Sequence, residues 1–477
     1  METAAIPYPD FKSFSTKDLI GVFIFGVVGY VALASGWRPI IYGLLLLAVL
    51  WSIMSYEANL VFLLIILHAG ARVDPDWYDF VSPARWVFLF IFMIKIFLPM
   101  FQQGTPDLMT RFHIGVIIYT AIASITTIDA FINPISFYRV ISVWWLVLAL
   151  CFSIWKYIDS REKIIEWVKL GVIVSMGFLV IGFIFGEKQL FPVPGGGRFK
   201  GIYFNPNTLA VSMVFLVPAS YFLYRYEKKH GNSIPSNFYL VAFILSVIGL
   251  ILSGSRSSIG AVVIAALAAA AFHYRSRFLL VMMFGLLVMG SAYAAISDML
   301  ESEFFQDVVY REETFDTMSG RIEIWENAYK YFKRKPVLGY GFGTSDFVIL
   351  TEGDATRLAY LKKTRYGLHT HNSYLRSILE TGVVGTSFIL VFLVAFPIKV
   401  ISLLRRIYSE ELHMLALMFA TFIFASILNS FFESWLFSVG SLPTFMFWWA
   451  VFMFYKIDTH MDEYVRPGDT ERTAGLL

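Results

Sequence analysis

Residues 164–186 read IIEWVKLGVIVSMGFLVIGFIFG, an apolar run with almost no charge after its first turn. A bilayer core of roughly 30 Å is crossed by about 20 such residues in helical form. Comparable runs occur at 18–36, 39–55, 84–101, 112–130, 138–156, 207–225, 236–254, 257–274, 277–297, 383–404, 412–432 and 435–455, with a shorter one at 57–70. Composition agrees: 57% of the 477 residues are hydrophobic, 15% are charged, and the mean hydropathy is +0.66. Ordinary globular domains carry about 25% charged residues. The runs lack the alternation of a barrel, and lipid cannot satisfy an open backbone, so helices are the spanning elements. The expected fold is an all-α, polytopic integral membrane protein with about 14 transmembrane helices (about 12–14).

Charge placement orients the bundle. The segments KYIDSREK (156–163), YRYEKKHG (224–231), HYRSR (273–277) and KVISLLRR (399–406), together with Lys456, are basic and fall on one side of the alternation. Basic loops mark the cytoplasmic side. Residues 187–206, 254–257, 298–382 and the turn near Glu433 then face outward. The chain divides into a cytoplasmic segment 1–17, transmembrane helices over 18–297, an extracytoplasmic connection 298–382, transmembrane helices over 383–456 and a cytoplasmic tail 457–477. The N-terminus has no short basic start or small-residue cleavage site, so a cleaved signal peptide is not expected.

Within the long connection, Ile322, Trp325, Tyr329 and Phe332 recur at helical spacing before Pro336. That pattern predicts a short amphipathic helix at the membrane surface. The single cysteine, Cys151, sits in an apolar run and excludes an intrachain disulfide. A formal net charge of +3 gives no footprint for nucleic acid.

Charged groups at helix ends beside lipid are costly unless paired or wetted, and are candidates for function. On the outward side these are Arg198, Arg256, Arg321, His371 and Glu433. His369 and His371 lack cysteine or carboxylate neighbours at metal-ligand spacing, so no metal site is expected. GGGRFKG lacks the G-K-[ST] of a phosphate loop, and SGSRSS is not a serine-nucleophile elbow. Forked arginine donors suit phosphate oxygens, and a neutral imidazole can take a proton at physiological pH. The set points to a phosphorylated lipid substrate and proton removal from an acceptor.

The stretches RFKGIYFNPNTLA (198–210), LSGSRSSIGAVV (252–263), SGRIEIWENAYKYFKRKPVLGYGFG (319–343) and HTHNSYLRSILETGVVG (369–385) together resemble the bacterial O-antigen ligase and polymerase superfamily. The resemblance runs from about residue 195 to 440 and leaves the N-terminal helices matched only in being apolar. It implies a cofactor-free, metal-independent glycosyltransferase of the bacterial cytoplasmic (inner) membrane, working on the extracytoplasmic face in lipopolysaccharide or surface polysaccharide biosynthesis. The implied partners are a polyprenyl (undecaprenyl) diphosphate-linked glycan donor, a glycan or lipid acceptor with a free hydroxyl, and membrane lipids. By the same resemblance His371 is the catalytic base, and Arg198, Arg256 and Arg321 bind the donor diphosphate. Asn372 and Glu433 stand as acceptor-side or supporting residues, with His369 their neighbour. A ligase is the leading expectation, a repeat-unit polymerase the alternative, and a solute or anion transporter a third class.

Overall fold

The computed structural model describes residue 21 and residues 38–71, 83–95, 110–186, 198–203, 205–274, 321–349 and 370–460, the side chains of Arg38 and of residues 321–323 excepted. All regular elements among them are helical: α1 (Arg38–Met54), α2 (Tyr56–Gly70), α3 (83–95), α4 (Arg111–Ile125), α5 (Asn133–Tyr157, with a π-helical turn at Ala149–Ile154), α6 (Arg161–Phe185) and α7 (Pro206–Lys229). They continue with α8 (Ser233–Leu252), α9 (Arg256–His273), α10 (Arg321–Phe332), α11 (Ser345–Val348), α12 (Ser373–Arg406), α13 (Glu410–Asn429) and α14 (Leu442–Thr459). The expected all-helical, polytopic membrane class is therefore observed.

By length and composition, seven of these are able to cross a membrane: α5, α6, α7, α8, α9, α12 and α13. Shorter apolar helices occupy Pro39–Met54, Tyr56–Gly70 and Arg111–Ile125. The expected spans 18–36 (residue 21 apart) and 277–297 lie outside the described residues, as does the end of 84–101. Two boundaries differ from the apolar runs. The expected span 383–404 is only the later part of α12, and the expected 435–455 becomes α14, starting at Leu442 after a series of turns.

Helix α7 sits at the centre, packed against α6, α8, α9, α13 and α14. It is the most enclosed of the seven spans. Its Phe215 meets Phe422 of α13 and Trp449 of α14, and Trp449 also packs against Trp167 of α6 and Phe419 of α13. Asn205 caps its start by accepting from the Asn207 amide, and Pro206 supplies a preset first-turn φ.

Helix α12 is broken at Gly382, where φ is 61° and ψ is −163°. The break interrupts the helical ladder, and a second segment takes up the released groups. Tyr340 and Gly341 donate to the carbonyls of Leu379 and Glu380, while Val383 and Val384 donate to those of Pro336 and Val337. The turn-rich stretch PVLGYGFG thus lies across the break as backbone against backbone. A Cβ on Gly382 would stand 2.1 Å from the Val337 carbonyl oxygen, and one on Gly339 would stand 2.5 Å from that of Leu379. Only glycine permits this approach at positive φ. The same stretch reaches the turn between α4 and α5: Phe131 donates to the Tyr340 carbonyl, and the Thr126 hydroxyl accepts from the Phe342 amide.

Gly382→Ala is therefore expected to destabilise the protein by about 2 kcal/mol or more. Gly260→Ala, where a Cβ meets nothing within 4 Å, is expected to be neutral or slightly stabilising. Thermal unfolding of the two detergent-purified variants, followed by intrinsic fluorescence, makes the comparison.

Candidate functional site at the helix ends

Five helix termini converge: the ends of α8 and α13 and the starts of α7, α9 and α12. Hydrogen bonds join them directly. The Arg198 Nε donates to the carbonyl of Ser253, which follows α8, at 2.6 Å. Asn429, at the end of α13, donates to Ser258 in the first turn of α9 at 2.9 Å, and its Oδ1 accepts from the Trp435 indole. Ser373, first in α12, donates its amide to the Ser430 carbonyl and its hydroxyl to that of Glu433. Leu436 then donates back to the Ser373 hydroxyl at 3.2 Å.

A polar chain runs through this junction. The Nη2 of Arg198 donates to Asn207 Oδ1 at 2.6 Å, and Asn207 Nδ2 donates to Glu433 Oε1 at 2.7 Å. The other carboxylate oxygen, Oε2, lies 3.7 Å from Nδ1 of His371. The His371 side chain is 35% exposed and that of Glu433 is 14% exposed, so the histidine can be reached while its acidic neighbour is largely enclosed. His371 has φ of 47°, the only positive value for a non-glycine residue among the described residues. Such a conformation costs about 1–3 kcal/mol and persists where surroundings enforce it. Here the Trp325 indole of α10 holds the Thr370 carbonyl on one side, and the Asn372 cap fixes the other.

The segment carrying Arg198 is anchored from beneath. Tyr203 is buried and hydrogen-bonded through its hydroxyl to His68 of α2 at 2.7 Å, and the other His68 nitrogen meets Ser175 of α6 at 3.1 Å. Burial pushes the Tyr203 phenol up, against an opposing hydrogen bond with Ser212, so it stays protonated.

Arg198, His371 and Glu433 are thus brought into one connected site. Arg256 is exposed in the first turn of α9, two residues before the Ser258 that Asn429 holds. Arg321 opens α10, the helix whose Trp325 supports the residue before His371; its side chain is not among those described. His369 lies outside the described residues. Asn372 acts locally, its Oδ1 accepting from the amides of Tyr374 and Leu375 as the N-cap of α12. Among the described residues no group of three or more His, Cys, Asp and Glu side chains is arranged to hold a metal.

Sequence reasoning overlooked Asn207, although it lies in the quoted FNPN stretch, and it overlooked a buried ion cluster behind the site. Arg376 bonds Glu380 at 2.9 Å, the Ser434 carbonyl at 3.0 Å and the Ser438 hydroxyl at 2.8 Å, with Asp346 of α11 at 3.9 Å. Ser345 adds a hydrogen bond to Glu380 at 2.6 Å. The i, i+4 spacing of Arg376 and Glu380 was the available signal. The cluster clamps the connector bearing Glu433 onto α12 and α11.

The fold and the site together define a multi-pass membrane protein with a polar centre built from helix ends and a docked connection. Residues 241–390, about a third of the chain, match the family model described as O-Antigen ligase, and three of the four quoted motifs lie in that segment. A similar curated protein is the exopolysaccharide production protein ExoQ of Rhizobium meliloti (strain 1021), 24% identical over 127 residues. That similarity covers 27% of this chain and 27% of the relative, about a quarter of its length. Arg256, Arg321 and His371 fall inside the family match; Arg198, Asn207 and Glu433 fall outside it.

Arg376→Ala removes the cation from a buried pair and is expected to cost about 3–5 kcal/mol. A lowered unfolding midpoint, with Arg376→Lys intermediate, would be seen in the same thermal assay.

Proposed function

We propose that this protein is a surface-polysaccharide glycosyltransferase of the bacterial cytoplasmic membrane, acting on the extracytoplasmic face. It moves a glycan from a polyprenyl diphosphate carrier to an acceptor hydroxyl, in the manner of an O-antigen ligase. The observation that carries this reading is an accessible His371, which lies in the segment that matches the O-Antigen ligase model and is held in a left-handed backbone conformation beside the enclosed Glu433.

The chemistry needs three things of the chain. His371 takes the proton from the acceptor hydroxyl as its oxygen attacks the anomeric carbon. The bond from that carbon to the diphosphate oxygen breaks, and the electron pair leaves with the polyprenyl diphosphate. Arg198, Arg256 and Arg321 bind the diphosphate and stabilise its growing charge. The donor arrives activated, so neither a nucleotide nor a metal is required. Asn372 supports the base by fixing the start of α12.

A second reading shares this donor chemistry: a polymerase that adds repeat units to a growing chain. The similar protein is named for exopolysaccharide production, an outcome that such a polymerase would serve. Surface glycans of a deletion strain separate the two, because loss of a ligase leaves long carrier-linked chains and loss of a polymerase leaves single repeats.

His371→Ala is expected to abolish transfer while the protein remains folded and membrane-inserted, scored by complementation of the deletion strain. Normal glycan transfer by that variant would remove His371 from the reaction. Arg256→Ala and Arg321→Ala are each expected to lower transfer about 10- to 1,000-fold. Wild-type kinetics with a purified lipid-linked donor would contradict their role.

A further inference from the structure

We infer that Asn207 is a positioning residue, an amide spacer that keeps Arg198 and Glu433 from pairing directly and thereby presents Glu433 to His371. The inference rests on the glycosyltransferase reading above and deepens it.

The orientation of the Asn207 amide follows from its neighbours. A guanidinium only donates, so the atom 2.6 Å from Arg198 Nη2 is the amide oxygen. An ionised carboxylate only accepts, so the atom 2.7 Å from Glu433 Oε1 is the amide nitrogen. A side chain with both a donor and an acceptor can face a cation and an anion at once, and the amide holds the two on one rigid plane. The amide is also rigidly placed. It projects from the first turn of α7, whose backbone is fixed by the Asn205 cap, by Pro206 and by packing at the centre of the bundle.

The Glu433 end is equally constrained. Its carbonyl accepts from Ser373, the next carbonyl along accepts from Arg376, and Leu436 bonds back to Ser373. With Oε1 engaged by Asn207, Oε2 is the oxygen turned toward His371 Nδ1. The 3.7 Å gap exceeds a hydrogen bond, and such contacts in unliganded sites shorten when substrate binds. A carboxylate facing Nδ1 leaves Nε2 as the atom that meets the acceptor, and it stabilises the ring once the proton has been taken. Arg198 and Glu433 would otherwise attract one another. Collapse into a direct pair would use the charge that Arg198 offers the diphosphate and turn Glu433 from the histidine.

The test is a double-mutant cycle on the full-length protein in detergent, with a purified polyprenyl diphosphate glycan as donor and a hydroxyl acceptor. The variants are Asn207→Ala, Glu433→Gln and both together, each checked by size exclusion and thermal unfolding. Asn207→Asp is run alongside, because it keeps size but cannot donate to Glu433. Each single variant is expected to lower kcat about tenfold with donor KM changed less, and the double variant to fall no further than either single one. Asn207→Asp is expected to be as impaired as Asn207→Ala. Additive losses approaching a hundredfold, or wild-type kcat in Asn207→Asp, overturn the spacer role. If the wild type transfers nothing from this donor, or if His371→Ala transfers normally, the glycosyltransferase reading itself fails. If those two controls behave as proposed and the cycle is additive, only the spacer inference fails.

Discussion

The break in α12 at Gly382 is the constraint on which the rest of this structure depends. A helix that breaks inside a lipid-solvated protein releases backbone donors and acceptors that water is not there to meet. Here the released groups are taken up by Pro336, Val337, Tyr340 and Gly341 of the docked connection. One backbone lies against another, which glycine alone allows at Gly382 and Gly339. The seal thereby fixes a segment far away in sequence against the helix that begins beside His371.

Several features follow from that contact. The connection also meets the turn between α4 and α5 at Phe131 and Thr126, so the site-bearing helix is braced against the N-terminal half of the bundle. The Arg376–Glu380–Asp346 cluster lies between the break and the site, and ties α11, α12 and the Glu433 connector together. A buried charge cluster contributes little net stability against an apolar alternative, but it tolerates few arrangements. Together with the cap at Asn372 and the Trp325 bond to Thr370, it leaves His371 little choice of position.

How much of this could be read beforehand varied with how local the signal was. The spans α6, α7, α8, α9 and α13 follow from apolar runs, because a bilayer sets their length and composition. Helix α10 follows from the spacing of Ile322, Trp325, Tyr329 and Phe332. The start of α12 does not, since Ser373 to Thr381 is mixed in polarity and is buried by protein rather than by lipid. Docking of PVLGYGFG across Gly382 was hidden for a further reason: the two glycine-bearing stretches act as a pair distant in sequence. At the site, His371, Arg198 and Glu433 stood out as polar groups at apolar borders. Asn207 did not, because an asparagine at the start of a helix reads as a cap, and here the capping falls to Asn205 while Asn207 turns to Arg198 and Glu433.

The most direct measurement is glycan transfer by the purified protein, reconstituted with a defined polyprenyl diphosphate glycan and candidate acceptors, with and without a chelator and with no nucleotide sugar present. The predicted result is a new glycosidic product, formed at the same rate in both conditions, with release of polyprenyl diphosphate. Failure to form any product, a requirement for a nucleotide-activated sugar, or solute flux into the vesicles without transfer would contradict it.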